Sequence, residues 1–167
     1  MNRFHWHLTD DQGWRIEIKK YPKLTEVGSV SKDMLMNNET QTKYWNGKPY
    51  GPYFYTQDDV REIVQYAAER HIEVIPEVDM PGHMMAAMAA YPEFSCQPER
   101  TYEVWTQNLG LSVDILNVGN PKAVQFARDV VEELCQLFPG PDIHVGGDEC
   151  PIMRWEDVQA DPEIFSA

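Results

Sequence analysis

Long apolar runs are missing from this chain: no stretch approaches the roughly 18 residues that a helix needs to cross a bilayer. No membrane partner is expected. The first residues also lack the basic-then-apolar pattern of a secretory leader, which in a piece of a longer protein says nothing about the parent's export. Basic residues are scarce: 14 Lys and Arg stand against 27 Asp and Glu, for a net charge of −13. That balance argues against nucleic acid or an anionic membrane as partner and suits a neutral or small substrate. Cysteine is sparse as well. Cys96, Cys135 and Cys150 are odd in number and lack C-x-x-C spacing, which excludes a full disulfide framework and a cysteine-based zinc module. Repeats, low-complexity tracts and linker-like stretches are absent, so residues 1–167 read as one domain or part of one.

What the chain does contain is an alternation of apolar strands and amphipathic helices. The pattern predicts strands over 3–8, 72–78 and 142–147 and helices over 56–70 and 120–138. Thr56 with Asp59 forms a capping box, and Val60, Ile63, Val64, Ala67 and Ala68 recur at helical spacing. In the second helix Asn120 caps and Pro121 takes the first position. Ala123, Ala127, Val130, Val131 and Leu134 line one face, and Pro139-Gly140 stops the helix. Strand, helix, strand, helix, strand implies an α/β fold with parallel pairing and right-handed crossovers. Most of the surplus length precedes each helix, in 19–55 and 84–119, on the side where barrel active sites lie. The run from Met84 to Ala90 reads as a short packed helix rather than an adaptable methionine surface. Trp14, Tyr44, Trp45, Tyr50, Tyr53 and Tyr55 read as packing aromatics, with stacking on sugar rings as the functional alternative.

Each predicted strand ends in ionisable groups. Ile143-His144-Val145-Gly146-Gly147-Asp148-Glu149-Cys150 breaks at two glycines and delivers adjacent carboxylates. Phe4 to Arg15 holds His5, His7, Asp10 and Asp11, and Ile72 to His83 holds Glu77, Asp79 and a Pro81-Gly82 turn before His83. Acids at the carboxyl tips of parallel strands suit a barrel glycosidase.

These three segments, in order, resemble the motifs after the second, third and fourth strands of family-20 glycoside hydrolases, the β-N-acetylhexosaminidases. They read His-Trp-His-Leu-Thr-Asp-Asp-Gln-Gly-Trp-Arg, Met-Pro-Gly-His and Gly-Gly-Asp-Glu, and together span nearly the whole chain. The resemblance implies a partial (β/α)8 TIM barrel covering about strands 2 to 4 with long βα loops, since a complete barrel takes roughly 250 residues. It implies a retaining, substrate-assisted hydrolase that releases terminal non-reducing N-acetyl-D-hexosamine and whose nucleophile is the substrate's own acetamido carbonyl. Glu149 is then the general acid and base, and Asp148 orients the acetamido group. His83 with Asp10 forms a supporting network, with Asp11 the alternative for Asp10's place and Asp79 a further candidate support. Glu77 is open between pocket and structural roles, and His5 and His7 fit packing inside a barrel. No cofactor and no metal is expected. The implied partner is an N-acetylhexosamine-containing glycan or glycoconjugate, and family habit places the parent in periplasm, secretion or lysosome.

Two other readings compete. His5, His7, His83, His144, Asp10 and Asp148 supply ligands for a metal-dependent barrel hydrolase, and a non-catalytic carbohydrate-binding barrel fragment would carry the same strands. The resemblance lacks the family's strand-one arginine and its later-strand aromatic walls. The chain alone is therefore expected to be inactive, and its open sheet edges are expected to promote self-association.

Overall fold

A computed structural model describes residues 1–33, 35–37, 43–104 and 112–160. In chain order it contains β1 (Arg3–His7), a hairpin of β2 (Thr9–Asp10) and β3 (Gly13–Trp14), α1 (Lys23–Glu26), and a second hairpin of β4 (Leu35–Asn37) and β5 (Lys43–Trp45). Then come α2 (Gln57–Ala68), β6 (Glu73–Glu77), α3 (Met85–Ala90), a 3-10 turn at Pro92–Phe94, α4 (Pro121–Leu137) and α5 (Met153–Ala160).

The scaffold follows from the predicted alternation. β1 and β6 pair in parallel, from Arg3 opposite Glu73 to His7 opposite Glu77. Residues 143–145 run beside β6: the His144 N–H donates to Pro76 O at 2.9 Å, and the Val78 and Met80 N–H groups donate to His144 and Val145 carbonyls. The strand expected over 142–147 is thus reduced to a parallel bridge at His144. Gly146 and Gly147 take φ values of +62° and +94°, which turns the backbone out of the pleat. No further strand pairs with this edge among the described residues.

Alternation along the strands separates two faces. Trp6 and Val74 point outward into the core, where the Trp6 ring meets Tyr55 at 4.8 Å and Phe138 at 6.4 Å. Arg3, His5 and His7 occupy the opposite face with Glu73 and Glu77, so these are not the uniformly apolar strands of a parallel sheet. Hence the inward face is polar.

Both long helices begin as their sequences dictate. Thr56 Oγ1 accepts the Asp59 N–H while the Thr56 N–H donates to Asp59, and the Asn120 side chain accepts from the Lys122 N–H. On α2, Val60 and Ala67 are buried and Ile63 and Val64 pack half-buried against the core. Ala68, the last residue of the helix, is exposed, since at 100° per residue it falls at the edge of the apolar stripe. On α4, Ala123, Val130 and Leu134 are buried as expected, and Phe126 joins them at full burial. Phe126 stacks on Phe94 at 4.8 Å and meets Tyr21 at 5.0 Å, an aromatic cluster that locks the two long loops to the helix. The Met84–Ala90 run forms the expected packed helix. Trp14 is fully buried, with its indole N–H bonded to Ile16 O, so it is core and not a sugar platform. Tyr50, Tyr53 and Tyr55 are exposed, and the side chains of Tyr44 and Trp45 lie outside the described residues.

Candidate active site

The carboxyl ends of β1, β6 and the His144 stretch converge. Each ends in a turn that the sequence makes unavoidable. After β6, Met80-Pro81-Gly82 swings the chain so that His83 sits at φ +52°, and after the His144 stretch Glu149 sits at φ +43°. Residues other than glycine seldom occupy this left-handed region, and where they do the strain is held by surrounding structure, commonly at functional sites. A side chain at Gly82 would press on Asp148 O at 3.2 Å and Glu149 O at 3.3 Å. Glycine here lets the two turns lie against one another.

His83 is the hub. Its Nδ1 lies 3.1 Å from Asp10 Oδ1 and 3.8 Å from Asp11 Oδ2, and its Nε2 lies 3.3 Å from Glu149 Oε2 and 3.9 Å from Asp79 Oδ2. The His83 side chain is only 12% exposed, whereas that of Glu149 is 57% exposed and available to a ligand. Burial alone would lower the imidazole's pKa, but the carboxylates of Asp10, Asp79 and Asp11 outweigh it and raise the group above its ordinary value. Asp148 is exposed, and one of its oxygens lies within 4.8 Å of ligand atoms from both Asp79 and His83.

Asp10 and Asp11 do different work. Asp11 is fully buried and accepts the Met85 N–H at 3.0 Å and the Ser112 N–H at 2.9 Å, tying the loops after β6 to the end of β1. Burial raises its pKa, and the two amide bonds oppose that rise. Asp10, half-buried, is the histidine's hydrogen-bond partner. Asp79 supports from below: its carboxylate accepts the Gly147 N–H at 3.0 Å, and its pKa is raised by burial against that bond. A side chain at Gly146 would collide with the same carboxylate.

His5 stands apart from this hub, facing Glu77 at 2.5 Å, and His7 lies at its edge, with Nε2 4.0 Å from Asp10. One anchor had no signal in the sequence. Buried Asp114 receives Arg154 Nε at 2.8 Å and Arg100 at 2.8 Å, while the Trp155 indole N–H bonds to Leu116 O. These bonds fasten the segment after Glu149 to the loop before α4, and they join residues up to 40 positions apart.

Parallel strands joined by helices, with acids and a histidine gathered at their carboxyl ends, form the arrangement of a barrel enzyme. A family model described as glycosyl hydrolase family 20, catalytic domain, matches residues 1–165, and the chain belongs to that family. It is 51% identical over 158 residues to a β-hexosaminidase of Porphyromonas gingivalis, covering 93% of this chain and 18% of that protein. A β-hexosaminidase of Vibrio furnissii is 42% identical over 160 residues, with 92% of this chain and 24% of that protein covered. The crystal structure of a β-N-acetylhexosaminidase superimposes with a TM-score of 0.85 at 40% identity, over 98% of this chain and 32% of that one. An exo-β-N-acetylglucosaminidase from Vibrio harveyi in complex with N-acetylglucosamine gives 0.78 at 37% identity, over 98% and 25%. The chain therefore spans from about a fifth to a third of the length of these relatives, and its fold is a partial α/β segment of a TIM-barrel-type catalytic domain.

Proposed function

We propose that residues 1–167 form a fragment of a single (β/α)8 catalytic domain, contributing about its strands 2 to 4, and that the completed domain hydrolyses β-N-acetylhexosaminides at their terminal non-reducing N-acetyl-D-hexosamine. The observation that carries the reading is the chain of contacts Asp10–His83–Glu149, at 3.1 Å and 3.3 Å. Relatives named β-hexosaminidase align across this whole region, and the family's retaining chemistry uses the substrate's acetamido group as nucleophile.

In this reading Glu149 gives its proton to the leaving oxygen and later takes one from the water that opens the oxazolinium intermediate. The exposed position of Glu149 suits contact with the glycosidic oxygen. Asp10 accepts the Nδ1 proton of His83 and so leaves Nε2 facing Glu149. A neutral imidazole there accepts the acid's proton in a hydrogen bond, and an imidazolium donates to the carboxylate once that proton has gone. Asp148, one residue earlier, leaves the turn in another direction and accepts the acetamido N–H, balancing positive charge as the oxazolinium ring forms. Asp79 holds the turn through Gly147, and Asp11 holds the loops around it. This mechanism calls for a proton donor and an anionic partner, the roles assigned to Glu149 and Asp148, and its substrate is an N-acetylhexosamine-containing glycan.

The test is release of a chromogenic aglycone from β-N-acetylglucosaminide and β-N-acetylgalactosaminide by this chain and by a version extended to the full barrel. The extended enzyme should be active, its Glu149→Gln variant should lose on the order of 10²–10⁴ in rate, and the short chain should be silent. A folded extended enzyme inactive on both hexosaminides would overturn the substrate assignment.

A further inference from the structure

The stretch from Ser112 to Leu116, ahead of α4, touches every turn from which the site is built. The Ser112 N–H donates to Asp11 Oδ2 at 2.9 Å, at the end of β1. The Leu116 N–H donates to Pro81 O at 3.0 Å, in the turn that delivers His83. Just beyond Glu149, Arg154 Nε donates to Asp114 Oδ1 at 2.8 Å and the Trp155 indole N–H donates to Leu116 O at 3.0 Å. Apart from Val113 the stretch is buried, and the Asp114 N–H is tied back to Ser112 Oγ at 3.0 Å. It is a strut between turns rather than a covering loop.

Arg154 stands in the first turn of α5, where a cation opposes the helix dipole, so its place is not explained by the helix itself. Its buried partner Asp114 lies 40 positions away along the chain. Glu149, between the two anchors of its turn, sits at φ +43°, a conformation that persists only where surrounding structure holds it. Asp79 grips the near side of that turn through the Gly147 N–H, and Arg154 with Trp155 grips the far side. We propose that Asp114 and Arg154 are positioning residues of the site: by fastening the far side of the turn to the strut that also holds Pro81, they set Glu149 within reach of His83. The inference rests on the acid role proposed above for Glu149. Released from Asp114, the turn relaxes from its left-handed conformation and carries the carboxyl away from the imidazole and from the leaving oxygen. Proton delivery then suffers, because a general acid works only within hydrogen-bond reach of the atom it protonates.

The test is a leaving-group comparison in the enzyme extended to the full barrel, with Arg154→Gln and Asp114→Asn severing the link from either end. In Arg154→Gln the buried carboxylate keeps Arg100, its other partner at 2.8 Å, so it is not left alone. An N-acetylglucosaminyl disaccharide, whose sugar leaving group must be protonated, should lose on the order of tenfold to a hundredfold in kcat/KM. A dinitrophenyl N-acetylglucosaminide, whose leaving group departs as a stable anion, should lose far less. Leu134→Ala, a change in the buried core, should lower both substrates by the same factor. Equal losses for the two leaving groups in a folded Arg154→Gln enzyme overturn the proposal, since its effect would then run through folding alone. A second readout does not depend on hydrolysis: in a crystal structure of Arg154→Gln the 3.3 Å contact between His83 and Glu149 should be broken, and a retained contact overturns the proposal as well. A folded wild-type enzyme inactive on every hexosaminide would instead strike the hydrolase reading, and the His83–Glu149 distance in the variant would still decide whether the strut positions Glu149.

Discussion

His83 Nε2 stands 3.3 Å from Glu149 Oε2, across two turns that are both held in left-handed backbone conformations. The contact joins residues 66 positions apart by their numbers, so it exists only because β6 and the His144 stretch run side by side. The opposite ring nitrogen is held by Asp10. Asp10→Asn removes the nearest of the charges that raise the His83 pKa, and the imidazole should then titrate at lower pH, as followed by its ring-proton NMR signals. An unchanged titration would show that Asp79 and Asp11 alone set it.

The same shift fixes a sign for stability. The folded-state pKa of His83 is raised above the ordinary value of 6.5, so its charge pairs stabilise the fold fully below the unfolded value and lose that contribution as pH climbs through the folded one. Urea midpoints should therefore show a wild-type advantage over Asp10→Asn that shrinks as pH rises from about 6 upward. An advantage that grows with pH would contradict this.

Asp11 offers a sharper test of architecture. Its two oxygens accept two amides from different loops, and an asparagine side chain in its place would have a single acceptor oxygen to offer. Asp11→Asn should cost on the order of 1–3 kcal/mol, the penalty for stranding a buried amide, measurable by chemical denaturation. A variant as stable as wild type would mean that water replaces the missing acceptor.

Gly146 sits at φ +62° directly over the Asp79 carboxylate. Gly146→Ala should destabilise by at least about 1 kcal/mol from backbone strain alone, with a further cost from the collision. In the extended barrel it should depress hydrolysis more than a remote core change such as Leu134→Ala, because it displaces the turn that carries Asp148 and Glu149. Equal effects on activity at matched stability would count against a positioned turn.

Open edges make a prediction about the isolated chain. β1 and the His144 stretch each pair only with β6 among the described residues, and Phe4, Val118, Val145 and Ile152 are exposed. Unpaired edges beside apolar surface invite association. Sedimentation should show concentration-dependent oligomers, and a monodisperse monomer would refute the expectation.

Periodicity, capping residues and turn chemistry made the two long helices and two of the strands legible to within a residue or two, because these signals act over a few neighbouring positions. The three polar strand tips were legible in the same way, and with them the residues now gathered around His83. Other features depend on neighbours far along the chain. Whether Asp10 or Asp11 meets the histidine was open in the sequence, since adjacent carboxylates are chemically alike. Burial and the Met85 and Ser112 amides claim Asp11, leaving Asp10 for His83. The shortening of the 142–147 strand, the Asp114 anchor and the contacts of Glu77 with His5 and His144 likewise had no local signature. The sequence by itself determined which groups could do chemistry and which short elements would carry them; only tertiary structure decided which groups meet, because distance and burial, unlike spacing, are set by how parallel strands are brought into register.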